Sequence, residues 1–182
     1  MTRLSPLDLD NLSPEQKAVA DAIVAGPRGG LRGPFEAWLR APELAQRAQL
    51  LGEYCRFGTS LPRDLSELAI LITGKHWKAQ FEFWAHARLA REAGLAEATI
   101  EAIRTGARPS FGSPKAEALH DFVTEYLATN RVTPSTYQRA LDQFGERGIV
   151  DIIGVVGYYG LVSMTLNVFE VALPEGEPEP LM

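Results

Sequence analysis

Cysteine is almost missing from this chain, and that scarcity excludes several kinds of chemistry. Cys55 is the single cysteine among 182 residues, so an intrachain disulfide, a CxxC redox pair and a thiolate metal cage cannot form. Only one cation, Arg56, adjoins the thiol in the sequence, and a small cysteine in the helical pattern LLGEYCRF is typical of a core residue. We therefore predict that Cys55 is structural, with a catalytic thiol as the alternative.

Basic clusters and long apolar runs are lacking too. Eighteen Lys and Arg against 23 Asp and Glu give a net charge of −5, and no basic track is present that would follow a phosphate backbone. Apolar runs such as 149–156 are interrupted, here by Asp151 and Gly154, and none approaches the roughly 20 apolar residues that span a bilayer. The first residues, MTRLSPLDLDNLSP, lack the apolar stretch of a secretory signal. We therefore expect a cytoplasmic protein that binds neither nucleic acid nor membrane.

Alternating strand patterns are also absent, whereas helix signals recur along the chain. Ser13-Pro14-Glu15-Gln16 has the form of a capping box with a proline at the first helical position, and Ser113-Pro114 and Thr133-Pro134 repeat the cap and the proline. The fold class that we expect is all-α. The patterns predict helices over 14–25, 34–40, 42–58, 63–93, 97–105, 114–130, 134–144 and 147–171.

The predicted organisation is one compact helical domain over 1–173, followed by an acidic, proline-rich tail over 174–182 that we expect to be mobile. The glycine-rich stretch 26–33, GPRGGLRG, lacks the GxxxxGK[ST] pattern of a phosphate-binding loop and follows no predicted strand, so a flexible connector is favoured. Three glycines recur every three residues in the last predicted helix. This spacing favours close packing of another helix, and the alternative is room left for a ligand. They are Gly154, Gly157 and Gly160.

The segment 67–86, ELAILITGKHWKAQFEFWAH, concentrates ionisable side chains among apolar and aromatic ones. Burying such groups among leucine, isoleucine and tryptophan is costly unless they pair or take part in chemistry. Glu82 and His86 stand four residues apart, which places them on one face of a helix within contact range. A carboxylate that touches an imidazole forms an acid–base pair, because each group stabilises the charged form of the other. We therefore predict that this segment forms the active site.

Glu67 joins this site only if the helical pattern over 63–93 is broken. Glu67 and His86 are 19 residues apart, which is roughly 28 Å along a continuous helix. A break near Gly74-Trp77, or a second subunit, would bring them together; otherwise the two groups belong to different sites. A glycine followed by bulky residues favours the break. The second helix would then carry Glu82 in its first turn, where free N–H groups and the helix dipole stabilise an anion.

The pattern formed by Glu67, Glu82 and His86, followed by the amphipathic HARLAREAGL, resembles the carboxymuconolactone decarboxylase family, which includes the alkylhydroperoxidase D-like proteins. The resemblance covers roughly 35–130. In the peroxidase branch a glutamate is followed by a CxxC pair and then by a histidine, and on this chain the two cysteine positions fall on Ala79 and Glu82. Because thiol peroxidase chemistry needs both thiols, the resemblance implies a branch without the redox cysteines, closer to the decarboxylases.

The resemblance also implies a fold, an assembly and a reaction. The fold would be a compact helical bundle of the alkylhydroperoxidase D-like type, and the protein would form homo-oligomers, either trimers or hexamers. The reaction would be that of a lyase in aromatic catabolism, without a cofactor and without a metal. Loss of CO₂ from an unsaturated lactone acid leaves a carbanion-like species that must be protonated at carbon.

We therefore predict a cofactor-independent enzyme that decarboxylates or isomerises an unsaturated or aromatic-derived acid or lactone. His86 would be the principal proton carrier, Glu82 its orienting partner, and Glu67 the second acid or base. Arginine is missing from 67–86, so a substrate with several carboxylates requires an arginine from elsewhere, with Arg56, Arg63 and Arg88 as candidates. The side chains predicted to bind the small-molecule substrate are Trp77, Phe83, Trp84, His76 and Tyr158, with Tyr159 beside the last.

Other interpretations of the same residues remain open. Glu67 is alternatively a buried ion-pair residue between helices, and His86 a core histidine bonded to a carbonyl group. These side chains, together with His76 and Glu82, are competent metal ligands, but their spacing matches no common metal motif. For the whole protein, the alternatives are an alkylhydroperoxidase-like antioxidant that works without CxxC and a non-catalytic oligomer that binds a ligand.

Overall fold

A computed structural model describes residues 2–181, and over that range the chain forms helices and loops without a β-strand. The predicted all-α fold is confirmed. Met1 and Met182, the ends of the predicted domain and tail, lie outside the described residues. The α-helices are α1 (Pro14–Ala25), α2 (Phe35–Trp38), α3 (Pro42–Glu53), α4 (Arg63–His76), α5 (Gln80–Glu92), α6 (Glu97–Thr105), α7 (Pro114–Thr129) and α8 (Pro134–Val168).

The predicted helix starts are formed by the side chains that the sequence indicates. The Ser13 hydroxyl accepts a hydrogen bond from the Gln16 N–H, and the Gln16 side chain accepts one from the Ser13 N–H, which completes the capping box. The Ser113 hydroxyl accepts from the Lys115 N–H and the Thr133 hydroxyl from the Thr136 N–H, and each of these caps is followed by a proline at the first helical position. These contacts satisfy N–H groups that have no partner within a helix. Local sequence therefore determines where these helices begin.

Helices α4 and α8 form the centre of the bundle. Every residue of α4 from Leu65 to Gly74 is buried, and this helix packs against α5, α7 and α8. Helix α8 bends at Gly145, whose φ of 65° and ψ of 176° are not helical. The break predicted between 144 and 147 is thus a kink within one element, because glycine tolerates the positive φ that other residues avoid. A π-helical turn at Tyr54–Gly58 continues α3 and packs on α8.

Helix α8 is long and apolar enough to cross a membrane by length and composition alone. The interrupted apolar runs in the sequence predict no such segment. The most apolar window of the helix nevertheless has a mean hydropathy of 1.7, although it includes those interruptions. However, 67% of that window is buried inside the protein. This burial is typical of the core helix of a globular domain, whose apolar side chains pack against other helices.

The predicted break in the segment 63–93 is present, although its cause differs from the one we expected. Helix α4 ends at His76, Lys78 adopts a left-handed φ of 51°, and Ala79 is extended before α5 begins. The Ala79 N–H donates to the Gly74 carbonyl at 2.9 Å, which closes the end of α4. Gly74 itself is helical. A Cβ there would lie 3.6 Å from the Phe83 nitrogen, an ordinary contact distance, so the position would also accept an alanine.

The acidic tail packs on the protein, contrary to the mobility that we expected. The Leu181 side chain is buried, and its backbone N–H and carbonyl both bond the Gln80 side chain at 2.9 Å. The Pro180 carbonyl accepts from Arg104 at 3.1 Å, and the Glu177 carboxylate accepts from the Trp84 indole at 2.9 Å. Composition indicated a segment without a core of its own, but the buried Leu181 and these hydrogen bonds attach it to α5 and α6.

Candidate active site

Three ionisable side chains meet between α4 and α5. The break folds α5 back along α4, so Glu67 Oε2 lies 2.7 Å from His86 Nδ1 although the residues are 19 apart in the chain. Glu82, in the first turn of α5, has Oε1 3.1 Å from His86 Nε2. All three side chains are buried, with residue exposures of 3% for Glu67, 4% for Glu82 and 7% for His86. One subunit therefore assembles the predicted group without help from a second.

The two carboxylates control the charge of the imidazole between them. Burial opposes the positive charge of His86, but the charge of Glu82 and the hydrogen bond to Glu67 outweigh it and raise the pKa of His86 from 6.5 to about 9. We therefore expect an imidazolium at neutral pH, held between two carboxylates. The Glu82 contact is less well aligned than the Glu67 contact: Oε1 is near the ring but makes no hydrogen bond to another described residue.

A cavity of about 340 Å³ opens beside this group. Glu82 and His86 line it, whereas Glu67 lies outside the lining, on the far side of the imidazole. Tyr158, Tyr159 and Val162 from α8 form one wall, and Phe81 and Trp84 from α5 form another. The cavity also carries four guanidinium groups, from Arg28, Arg32, Arg56 and Arg88. Such a concave site, with apolar walls and a few convergent polar groups, has the usual features of a small-molecule site.

Arg28 is held in place by aromatic contacts. Its Nη2 donates to the Tyr158 hydroxyl at 3.2 Å, and its guanidinium lies 5.2 Å from the centre of the Phe35 ring. A Cβ at Gly52 would lie 2.1 Å from the Tyr158 hydroxyl and 2.4 Å from Arg28 Nη2. The glycine is needed there because any larger residue would displace both groups. Arg28 Nε remains buried without a hydrogen-bond partner among the described residues.

The cavity has more positive than negative side chains. Within residues 2–181, the only lining arginine that comes within 4.0 Å of a carboxylate oxygen is Arg88, 3.9 Å from Glu92. The remaining three guanidinium groups have no carboxylate at that distance, and Glu82 is the only acidic side chain in the lining. A guanidinium without a carboxylate partner is suited to bind an anionic ligand with two parallel hydrogen bonds.

The side chains predicted to bind substrate are divided by the structure. Trp84 and Tyr158 line the cavity. Phe83 is next to Trp84 in the sequence but points away from the cavity into the core, and its exposure is 1%. Trp77 packs near Gly160, where a Cβ would be 3.4 Å from its indole nitrogen, and His76 lies on a separate surface groove beside His120. The expectation of a cavity wall is therefore corrected for three residues: Phe83 faces the core side of α5, and His76 and Trp77, at the end of α4, do not line the cavity.

The arginines of the loop 26–33 are the principal residues that sequence reasoning missed. We expected a connector there, whereas the loop contributes Arg28 and Arg32 to the cavity wall. Gly29 and Gly33 have φ values of 67°, so the loop follows a path that residues with side chains rarely adopt. Two arginines among closely spaced glycines were the available signal. Of the three arginines that the sequence offered as candidates, Arg56 and Arg88 line the cavity, and Arg63 instead lies 3.8 Å from Glu92.

Neither a reactive thiol nor a metal centre accompanies the site among residues 2–181. Cys55 is fully buried, and burial, together with the nearby charge of Asp151, raises the pKa of its thiol to about 11. A thiol of that kind carries little thiolate at neutral pH and is a poor nucleophile. No group of three or more His, Cys, Asp or Glu side chains in this range is arranged to hold a metal ion.

Comparisons with known proteins bear on the fold. No protein family model matches the sequence, and a comparison with curated proteins finds no match. Among solved structures, the chain is similar to an uncharacterized peroxidase-related protein from Silicibacter sp. TM1040, with a TM-score of 0.77 at 14% identity. The alignment covers 99% of this chain and 95% of the other. At that identity the similarity shows the shared helical fold alone, and it does not distinguish a decarboxylase branch from others.

Proposed function

We propose that this protein is a cofactor-independent enzyme that transfers protons to and from carbon on a small anionic substrate. The observation that carries the proposal is the buried row Glu67–His86–Glu82, which ends at a cavity lined by arginine side chains. Decarboxylation or isomerisation of an unsaturated or aromatic-derived acid or lactone requires this kind of step. In both reactions a carbon atom must gain a proton, and in the second it must first lose one.

Glu82 is the group that we propose to exchange the proton with the substrate. Both ring nitrogens of His86 already face carboxylates, so the imidazole has no nitrogen free to reach a carbon atom. Glu82 lines the cavity, and its Oε1 faces His86 Nε2, which leaves Oε2 to face the substrate. His86 would pass a proton from Nε2 to Glu82, and Glu67 would hold the Nδ1–H and stabilise the charged ring. This assignment moves the final proton transfer from His86, where the sequence suggested it, to Glu82.

For a decarboxylation, the electrons and atoms balance as follows. The bond between the substrate carboxylate and its carbon breaks, CO₂ leaves, and the electron pair moves onto a conjugated carbonyl oxygen. Glu82, protonated by His86, then gives that proton to the carbon while the pair returns from the oxygen, and a proton from water returns through Glu82 to His86. For an isomerisation, Glu82 removes a proton from one carbon and returns it to another. Neither route needs an oxidant or a reductant.

The arginines support an acidic substrate. Arg28, Arg32 and Arg56 face the cavity without a carboxylate partner within residues 2–181, and a carboxylate-bearing ligand would neutralise them. The segment 67–86 contains no arginine, which by itself is an objection to a substrate with several carboxylates. The guanidinium groups supplied by the loop 26–33 and by the π-helical turn remove that objection.

Two alternatives to catalysis differ in how the molecule supports them. A peroxide-reducing function without CxxC would have to use Cys55, whose burial and raised thiol pKa argue against it. A non-catalytic ligand-binding protein would keep the same cavity and the same arginines. The buried carboxylate–imidazole–carboxylate row favours catalysis, because such a group is costly to bury without a task.

We also propose that the protein acts in the cytoplasm as a homo-oligomer. An exposed apolar surface supports self-association: Leu50, Leu51 and Phe57 project from α3 and its π-helical extension, with Val150 and Ile153 on α8. A second copy of this chain would cover that surface, as the expected trimer or hexamer requires. Light scattering on the purified protein tests the assembly. A monomer at micromolar concentration would contradict it.

Deuterium exchange tests the proposed chemistry on any small acid that binds, whatever the natural substrate is. Unsaturated and aromatic carboxylic acids and lactones would first be screened for ligands that raise the Tm. Each stabilising ligand would then be incubated with the protein in D₂O and followed by proton NMR for exchange at carbon, isomerisation or loss of CO₂. His86→Gln should slow the reaction by at least about 10²-fold, the lower end for one positioned acid–base group.

His120→Gln is the matched control, because His120 is equally buried beside a carboxylate but lies outside the cavity. Its reaction rate should stay close to that of the wild type. Undiminished turnover by His86→Gln would end the proposal. A ligand that stabilises the wild type but never exchanges or reacts would favour the binding protein instead.

A further inference from the structure

Four buried side-chain polar atoms lack a hydrogen-bond partner within residues 2–181, and three of them belong to residues that line the cavity. The three are Arg28 Nε, Glu82 Oε1 and the Tyr159 hydroxyl, and the fourth is the Ser163 hydroxyl. A buried polar group without a partner destabilises a fold, so such atoms are rare in native proteins and call for an explanation. Glu82 Oε1 faces His86 Nε2 at 3.1 Å, so a ligand in the cavity is needed as a partner only for Arg28 Nε and the Tyr159 hydroxyl.

Tyr159 is the least explained of the three. Its residue is 2% exposed, and its ring meets the His86 imidazole edge-on with the ring centres 4.9 Å apart. Its neighbour Tyr158 accepts a hydrogen bond from Arg28, whereas the Tyr159 hydroxyl is bonded to no described residue. Burial, and then the nearby charges of Glu82 and Glu67, raise the pKa of Tyr159 well above its ordinary value of 10. The hydroxyl therefore keeps its proton and can act only as a neutral donor or acceptor.

The proposed reaction creates a need for such a donor. When Glu82 takes a proton from carbon, or when CO₂ leaves, the electron pair of the broken bond moves onto the substrate's carbonyl oxygen. That oxygen then carries negative charge in a buried site, where the Glu67 carboxylate repels it, while Glu82 holds the proton and is uncharged. A fixed donor aimed at the oxygen stabilises the charge as it develops.

We propose that Tyr159 is a further catalytic residue, whose hydroxyl donates a hydrogen bond to the enolate oxygen that forms on the substrate. This inference rests on the proposed function. It adds a requirement on the substrate, which must carry a carbonyl oxygen conjugated to the carbon that exchanges its proton. The ligand then has its carboxylate toward Arg28, its carbon toward Glu82 and its carbonyl oxygen toward Tyr159.

Binding of 4-nitrophenol tests the donor without any turnover. The phenolate is a planar oxyanion whose charge is delocalised, like that of a dienolate, and its absorption reports the ionised form directly. The measurement is made in the Glu82→Gln background, which copies the uncharged carboxyl that Glu82 becomes on taking the proton. Adding Tyr159→Phe should weaken phenolate binding by at least about tenfold, because a hydrogen bond to a charged group is lost.

Ser163→Ala in the same Glu82→Gln background is the matched control. It also removes a buried hydroxyl without a partner from α8, but Ser163 is outside the cavity lining. Its phenolate affinity should equal that of Glu82→Gln alone. Equal affinities with and without Tyr159→Phe would overturn the inference, and so would a Glu82→Gln protein that does not bind the phenolate.

A second readout separates a catalytic role from a structural one. Because the Tyr159 hydroxyl makes no hydrogen bond within the described protein, Tyr159→Phe alone should leave the Tm unchanged or raise it. A lowered Tm would mean that the hydroxyl supports the fold, and the inference would fail. These results are independent of the exchange experiment. If the protein shows no deuterium exchange but needs Tyr159 to bind the phenolate, the proposed function is contradicted, while the role of Tyr159 as a hydrogen-bond donor to an oxyanion is not.

Discussion

Two buried histidines in this protein sit beside carboxylates, and their surroundings differ. His86 Nδ1 lies 2.7 Å from Glu67, and His120 Nδ1 lies 3.1 Å from Asp121. The residue exposures are 7% and 6%. By burial and pairing alone the two would be hard to tell apart.

The difference is in the charges around each carboxylate. Asp121 also pairs with Arg108, and with Arg139 at 3.2 Å, so its charge is balanced by cations that hold it in place. Glu67 and Glu82 have no cation partner among the described residues except His86, which they share. A second difference is access. His86 lines the arginine-rich cavity, whereas His120 lies on a mostly apolar surface groove. A carboxylate–histidine pair is thus structural where arginines satisfy the carboxylate, and suited to proton transfer where they do not.

The pH dependence of stability should show the largest contrast between the two histidines. Because the pKa of His86 is raised from 6.5 to about 9 in the folded protein, its contribution is complete below about pH 6.5 and is lost as the pH rises through about 9. The shift corresponds to roughly 3 kcal/mol in the free energy of unfolding. Urea unfolding between about pH 6 and pH 9.5 measures this loss.

The two histidine variants sharpen that measurement. His86→Gln should remove the loss of stability at alkaline pH, and His120→Gln should preserve it. A wild-type free energy of unfolding that stays constant up to about pH 9.5 would contradict the contrast between the two histidines. The same holds if His120→Gln loses the pH dependence while His86→Gln retains it.

A smaller contrast is expected between the arginines of the two regions. Arg28→Gln should weaken the binding of benzoate, a simple aromatic carboxylate, by about tenfold, because a charge-assisted hydrogen bond is lost. Arg108→Gln should leave benzoate binding unchanged and lower the free energy of unfolding by no more than about 1 kcal/mol, since the Arg108 side chain is half exposed and Asp121 keeps Arg139 as a partner. Isothermal titration calorimetry gives the affinities. Equal weakening in both variants would show that the cavity arginines do not form the anion site.

The sequence predicted the contacts of the candidate site best where they are local in the chain. Glu82 and His86 are one helical turn apart, so their contact follows from helix geometry once the segment is helical. Glu67 depends on the break at Lys78, which the sequence located within a few residues while assigning its cause to Gly74. It was harder to predict which side chains of α5 face the cavity. Neighbouring residues of a helix point in different directions, so Trp84 lines the cavity while Phe83 is buried in the core.

The residues that the sequence did not reveal reach the site from distant parts of the chain. Arg28 lies 130 positions before Tyr158, to which it is hydrogen-bonded, and no local pattern couples the two. The packed tail is a similar case, since its attachment depends on Gln80 and Arg104 rather than on its own composition. Contacts of this kind depend on tertiary packing, which overrides what each segment favours alone.

The charge state of His86 tests the central claim most directly. NMR titration of the histidine ring protons, assigned by comparing the wild type with His86→Gln and His120→Gln, follows each of the three histidines separately. We predict that His86 remains protonated at neutral pH and titrates with a pKa of about 9, and that Glu82→Gln lowers this pKa. A His86 that titrates at or below 6.5, as an uncharged core histidine would, contradicts the account.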